Sequence, residues 1–349
     1  MIRRLRGKIL LSLALGAAVL LGLGLYADLP KLIHTLSGFE ARLIPPILGL
    51  TMFNYGLRFV KWHYYLRVVG IRRLSIRRSL LVFLSGFSMT VTPGKVGEWL
   101  KSFLLREETG TPVSVTAPII LAERISDGLA MVILAAAGLI LYGYGWQALV
   151  IALVLALAFV AVSQYRPLAN AVINVCARLP LVGPRVRQLE QFYESANQLL
   201  SWRNLGLAVG IGVVSWSAEG VAFYLVLLAL GVSATPLLLV QAVSILAAST
   251  ILGALSMLPG GLAVAEGSIA GLLLLLGVTT DTSVAAAATL AIRLGTLWFG
   301  VTLGVVALLV VAGRLPGEAV GGQIADGGQS PPVRKASVAA SERPSDSGG

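Results

Sequence analysis

Helix-breaking pairs and ionisable residues occur together twice in this chain. TPGKVGEW runs from Thr92 to Trp99 and LPGGLAVAEG from Leu258 to Gly267. In the first, Pro93, Gly94 and Gly97 precede Glu98; in the second, Pro259, Gly260 and Gly261 precede Glu266. An arginine follows in the next apolar segment each time, Arg124 and then Arg293. A helix break frees N–H and C=O groups that hydrocarbon cannot satisfy, so broken backbone at membrane depth survives only inside protein or beside a watery cavity. A charge near the centre of a membrane helix adds roughly 2.5 to 3.5 kcal/mol on insertion scales. Both penalties, repeated at corresponding places in two halves, point to a midplane binding site of the kind transporters use.

The remaining charged candidates cluster around these breaks. AERISDG, Ala122 to Gly128, sets Glu123 and Asp127 at an i, i+4 step with Arg124 an i, i+3 neighbour of Asp127. Two readings stay open. The segment is an internally neutralised ion cluster, or Arg124 holds an anionic lipid phosphate while one carboxylate tunes the site or shuttles a proton. Arginine suits phosphate because its planar fork donates two bonds at once and keeps its proton. Glu98 and Glu266 fall near the start of the second half-helix of each break, where the helix dipole and free N–H groups favour a carboxylate; capping is the competing role. Arg58 and Glu219 form a further matched set, each standing twelve residues before a span-closing glycine, Gly70 or Gly231. Their opposite signs suit an interface between the halves.

These residues need apolar elements to hold them. Hydrophobic residues make up 56% of the chain and charged residues 12%, about half the charged share of a soluble domain, and the mean hydropathy is +0.86. The class is an all-α polytopic membrane protein of about six to eight spans. Spans are expected near 9–26, 43–60, 113–142, 147–165, 204–230 and 284–312. The first follows Arg3, Arg4, Arg6 and Lys8 and reads as a retained span rather than a signal peptide. The stretch 80–91 is too short to cross and reads as a re-entrant hairpin continuing through Lys101 and Arg106. The stretch 237–276 reads as a mirrored hairpin or as two full spans. Together they give two inverted repeats, about 43–142 and 204–312, within a membrane domain 1–312.

The net charge of +11 would suggest nucleic acid in a soluble chain. Here the basic residues gather in the N-terminus, in Lys61 to Arg78 and in Arg166 to Arg203. That is the positive-inside pattern, with both termini expected in the cytoplasm and no nucleic-acid partner. Trp62, Tyr64 and Tyr65, beside Lys61 and Arg67, read as an interfacial aromatic belt. Residues 185–202 read as an amphipathic helix, on the membrane surface or against the bundle, in a linker of about 166–203. Residues 313–349 read as a disordered tail. Cys176 is the only cysteine and His34 and His63 the only histidines, which gives no basis for a disulfide, a zinc centre or a cofactor. No P-loop, HExxH or Asp-X-Asp pair occurs.

TPGKVGEW, ERISD, SWSAEG, LPGGLAVAEG and AIRLGTLW, in that order, resemble the flippase-like membrane region of lysylphosphatidylglycerol synthases and its stand-alone YbhN-type relatives, over roughly residues 10–312. The resemblance implies translocation of an anionic phospholipid or lipid-linked intermediate across a bacterial inner membrane, without covalent chemistry. It also implies a possible partner in a separately encoded lipid synthase. The aminoacyl-transferring domain of the two-part synthases is not expected in the short segment after the last span. Ala263 departs from the resemblance, standing where a glycine often follows leucine. Two rival readings remain: a membrane-embedded lipid-modifying enzyme using Asp127 or Glu266 as a base, and an accessory subunit of an envelope-lipid pathway.

Overall fold

The structure, a computed structural model, describes residues 29–90, 98–142, 146–178 and 183–313. The expected span at 9–26, the first break at Pro93, Gly94 and Gly97, and the tail from 314 lie outside the described residues. Within them every regular element is helical: α1 (Leu29–Ser37), α2 (Ile44–Val68), α3 (Ile76–Ser85), α4 (Leu100–Thr109), α5 (Val113–Tyr142), α6 (Trp146–Ser163), α7 (Arg166–Ala177), α8 (Val186–Leu199), α9 (Trp202–Ala229), α10 (Pro236–Leu255), α11 (Val264–Leu275), α12 (Thr282–Arg293) and α13 (Phe299–Ala312). Among the described residues four helical stretches are long and apolar enough to cross a membrane: Ala41–Val68, Trp202–Ala229, Pro236–Leu255 and Thr282–Ala312. A fifth is counted if α6 and α7, bent by 72° between them, form one broken span. Pro167 opens α7, where its missing N–H costs no hydrogen bond.

The halves match in local geometry. Gly70 and Gly231 end α2 and α9 at positive φ, 91° and 83°, a backbone setting glycine takes without steric penalty. Behind them Ile71 N–H donates to Leu66 O and Val232 N–H to Leu227 O, the same reverse closure of the last turn. Ser75 and Thr235 then accept from the third residue of α3 and α10 and start the next helix. The helices carrying the matched charges cross at matched points: Asn54 Nδ2 donates to Ser215 O at 2.8 Å. Asn54 precedes Arg58, and Ser215 precedes Glu219, by the same four residues. Equivalent positions meeting each other is what a two-fold relation between halves requires.

In each half a helix pair also returns on itself, α3 with α4 and α10 with α11. Arg78 Nη1 reaches Glu108 Oε2 at 3.1 Å, tying the start of α3 to the end of α4. Gln241 Nε2 donates to Leu276 O at 3.2 Å, tying the start of α10 to the end of α11. These are hairpins with closed feet. The second is asymmetric: α10 has 20 residues, whereas the 12 residues of α11 rise only about 18 Å, short of a ~30 Å hydrocarbon core. One apolar cluster, with Trp62, Phe83 and Leu105, surrounds the first hairpin, and another, with Phe223, Ile245 and Leu273, surrounds the second.

Two expectations are corrected here. Trp62 and Tyr65 do not form an interfacial belt; both are fully buried, because α2 runs on past residue 60 as far as Val68 and carries them into one apolar cluster, Trp62 against Phe83 of α3, while Tyr64 bonds Asn204 at 2.6 Å. Lys61 is likewise no part of a cytoplasmic basic loop, being 1% exposed. The helix expected at 185–202 is α8. It lies against the bundle, with Ser195 and Leu199 buried and Gln191 Oε1 accepting from Ser114 at the foot of α5 at 2.7 Å.

Candidate functional site

Charged residues of both halves meet at one central cavity. Arg58 and Tyr55 on α2, Glu98 and Arg124 of the first half, Trp216 and Glu219 on α9, Gly260 and Gly261 at the second break, and Arg293 at the end of α12 all line about 770 Å³ of empty space. Both halves therefore contribute to one chamber. Each glutamate after a break pairs with the arginine of its own half. Arg124 Nη2 stands 3.2 Å from Glu98 Oε2, and Arg293 Nε donates to Glu266 Oε1 at 2.6 Å. Arg293 Nη2 also donates to Gly260 O at 3.0 Å, so the carbonyl freed by the break is satisfied by the same guanidinium. Glu266 sits in the first turn of α11, but the N-cap residue is Ala263 and its side chain makes no cap bond. The glutamate's partner is the arginine.

The break is held by close backbone packing and some strain. Gly261 has φ of 68°, and a Cβ there would lie 3.0 Å from the Gly253 backbone of α10. Ala263 lies at φ 69°, ψ −49°, a region costly for a residue with a Cβ. The alanine that departs from the family resemblance thus keeps the backbone setting a glycine would take more easily. Arg293 leads into a π-helical segment, Leu294–Trp298, and the Tyr55 hydroxyl donates to Thr296 O at 2.7 Å within it. Widened turns of this kind concentrate at functional sites.

On α5 the three charged residues divide. Asp127 forms a buried ion pair with Lys61, with Arg124 at 4.0 Å. Glu123 takes Lys101 Nζ at 2.5 Å, and that ammonium lies 4.6 Å from the Trp62 ring centroid. Glu123 is therefore tied to the first hairpin and is not among the residues lining the cavity. Sequence reasoning placed Lys61 in a basic loop and Lys101 in an amphipathic segment, and gave neither a part in the site. The available signal for Lys61 was its i, i+3 spacing from Arg58 within one continuous helix. Arg58 and Glu219 have no ion pair within 4 Å among the described residues; the Arg58 guanidinium sits 5.4 and 5.3 Å from the ring centroids of Phe87 and Trp216.

Beyond Arg124 the cavity adjoins an apolar groove of about 1430 Å³. Glu98, Arg124, Thr250, Gly253 and Ala254 line both spaces. Ile125, Met131, Phe159, Ile251 and Leu258 line the groove, and exposed Trp99, Leu255 and Met257 stand along it. A charged chamber opening into a hydrocarbon-like trough matches the two ends of an amphiphile. Among the described residues no group of three or more histidine, cysteine or acidic side chains is placed to hold a metal ion.

Fold and site together define a polytopic helical membrane protein in which helices of both halves surround a shared charged cavity. Residues 9–304 match the family described as the lysylphosphatidylglycerol synthase TM region, and the chain belongs to that family. A UPF0104 membrane protein of Methanothermobacter thermautotrophicus is 25% identical over 317 residues, covering 82% of this chain and 88% of that relative.

Proposed function

We propose that this protein translocates an anionic phospholipid or a lipid-linked anion between the leaflets of a bacterial inner membrane, without covalent chemistry. The observation that carries the reading is the joining of two spaces at Arg124. Three arginines drawn from both halves line a chamber at the helix breaks, and that chamber meets a groove suited to acyl chains. In this reading Arg58, Arg124 and Arg293 attract the phosphate while Glu98, Glu219 and Glu266 keep the empty site near neutrality. Pro93, Gly94, Gly97, Pro259, Gly260 and Gly261 form the breaks that let backbone groups reach the headgroup. Asp127 and Glu123 hold the scaffold through Lys61 and Lys101. The basic stretches 67–78 and 166–203 mark the cytoplasmic side, with both termini there. A separately encoded lipid synthase is the natural supplier of the cargo.

The enzyme reading gives the role of base to Asp127 or Glu266, and each of these is held in an ion pair, which counts against those two assignments. The test is leaflet exchange in proteoliposomes containing the purified protein and a panel of fluorescent lipids of differing headgroup. Accelerated exchange of anionic lipids with every lipid mass unchanged is the expected result. A new lipid mass dependent on the protein would favour the enzyme instead.

A further inference from the structure

Four of the carboxylates at and around the cavity have a cation of their own: Glu98 with Arg124, Glu123 with Lys101, Asp127 with Lys61, and Glu266 with Arg293. Glu219 differs from them. It is 8% exposed and lines the cavity, yet no cation stands within 4 Å of it among the described residues. Its nearest functional counterpart, Arg58, lies over two aromatic rings. The charges facing Glu219 are Arg58 from α2, Arg293 from α12 and Asp127 from α5, with the Tyr55 hydroxyl from α2. The neighbouring α10 has no titratable side chain. Glu40 meets α9 at Ala229, and α8 joins its opposite end.

With all six groups ionised, Arg58, Arg124 and Arg293 balance Glu98, Glu219 and Glu266. An anionic headgroup then adds a negative charge to a site of low dielectric, where an uncompensated charge is strongly disfavoured. Protonating a paired carboxylate would strip an arginine or lysine of its partner. Glu219 has no pair to break. We propose that Glu219 is the proton site of an anion–proton symport: its carboxylate takes one proton from water as one headgroup engages Arg58, and gives it back to water when the headgroup leaves on the other side. The loaded site stays neutral through the crossing. This inference rests on the translocation reading and adds to it the energy source.

The experiment uses full-length protein in proteoliposomes with fluorescent phosphatidylglycerol in the bilayer and a pH-sensing dye in the lumen, with protein-free vesicles as the baseline. Under a pH gradient the wild type is expected to enrich the labelled lipid in the leaflet facing the alkaline side, up to about tenfold per pH unit for one proton per anion. With the alkaline side inside, the lumen should acidify as lipid arrives. A potassium diffusion potential at equal pH should leave the steady-state distribution unchanged, because no net charge crosses. Glu219→Gln should erase the pH-driven bias and the lumen signal at whatever rate of exchange remains, and Glu219→Asp should keep both. A wild-type distribution that follows voltage rather than pH, or a glutamine variant that keeps the bias, overturns the symport. Because the wild type alone supplies the pH and voltage results, the inference remains testable even if a variant fails to fold. Exchange indifferent to pH counts against the symport only, whereas no exchange by the wild type brings down the translocation reading and the symport with it.

Discussion

Arg293 shows why residue type matters more than charge at this site. One guanidinium bonds Glu266 through Nε and the Gly260 carbonyl through Nη2, two directions that a lysine ammonium on a flexible stem does not hold together. Arg293→Gln and Arg124→Gln are therefore expected to abolish lipid exchange while the protein still inserts, and Arg293→Lys to recover a small fraction of the rate. Full activity in the lysine variant would mean that point charge suffices. The buried Lys61–Asp127 pair makes a different prediction. Lys61→Met leaves Asp127 without its buried partner and is expected to destabilise the protein by about 3–5 kcal/mol. Adding Asp127→Asn removes the stranded charge and should recover most of that loss, which a double-mutant cycle of thermal unfolding in detergent would measure. Additive losses would show that the pair does not couple.

At the scale of elements, the second hairpin owes its shape to a few strained backbone positions. Ala263 holds a positive φ without being glycine, so Ala263→Gly should relieve roughly 1 kcal/mol of strain and raise the unfolding temperature. Gly261→Ala should lower it, since the added Cβ meets both a positive φ and the backbone of Gly253. Equal melting temperatures for both variants and the parent would mean that the break is pliable. These effects were partly legible beforehand. Pro259 and the glycines around it announce a break from sequence because proline lacks an N–H and glycine tolerates either sign of φ. The pairing of Ser75 with Thr235 as helix starters was legible only once the matched glycines had fixed the alignment of the two halves.

For the whole molecule, the depth of the second break decides whether the chamber belongs to the membrane interior. Met257 is exposed beside the break. On a Cys176→Ser background, a cysteine at Met257 should resist a bulky membrane-impermeant thiol reagent from either face, while one at exposed Arg73 should be labelled from the cytoplasmic face alone. Rapid labelling at 257 would put the break at a surface and separate the groove from the acyl-chain region.

The sequence by itself determined the all-helical membrane class, the spans near 43–60, 204–230 and 284–312 and the second break, and it singled out Arg124, Arg293, Glu98 and Glu266, because each is expensive in hydrocarbon and the expense is written into residue type. It also matched Arg58 with Glu219 through their shared distance to a terminal glycine. The tertiary structure decided the partners. Lys61 and Lys101 read as loop and amphipathic charges because hydropathy records how polar a residue is, not which helix faces it. Only packing α2 and α4 against α5 turned them inward onto Asp127 and Glu123. Among the described residues the same packing gave every buried glutamate but Glu219 a cation, a difference that depends on distances across the bundle and has no counterpart along the chain.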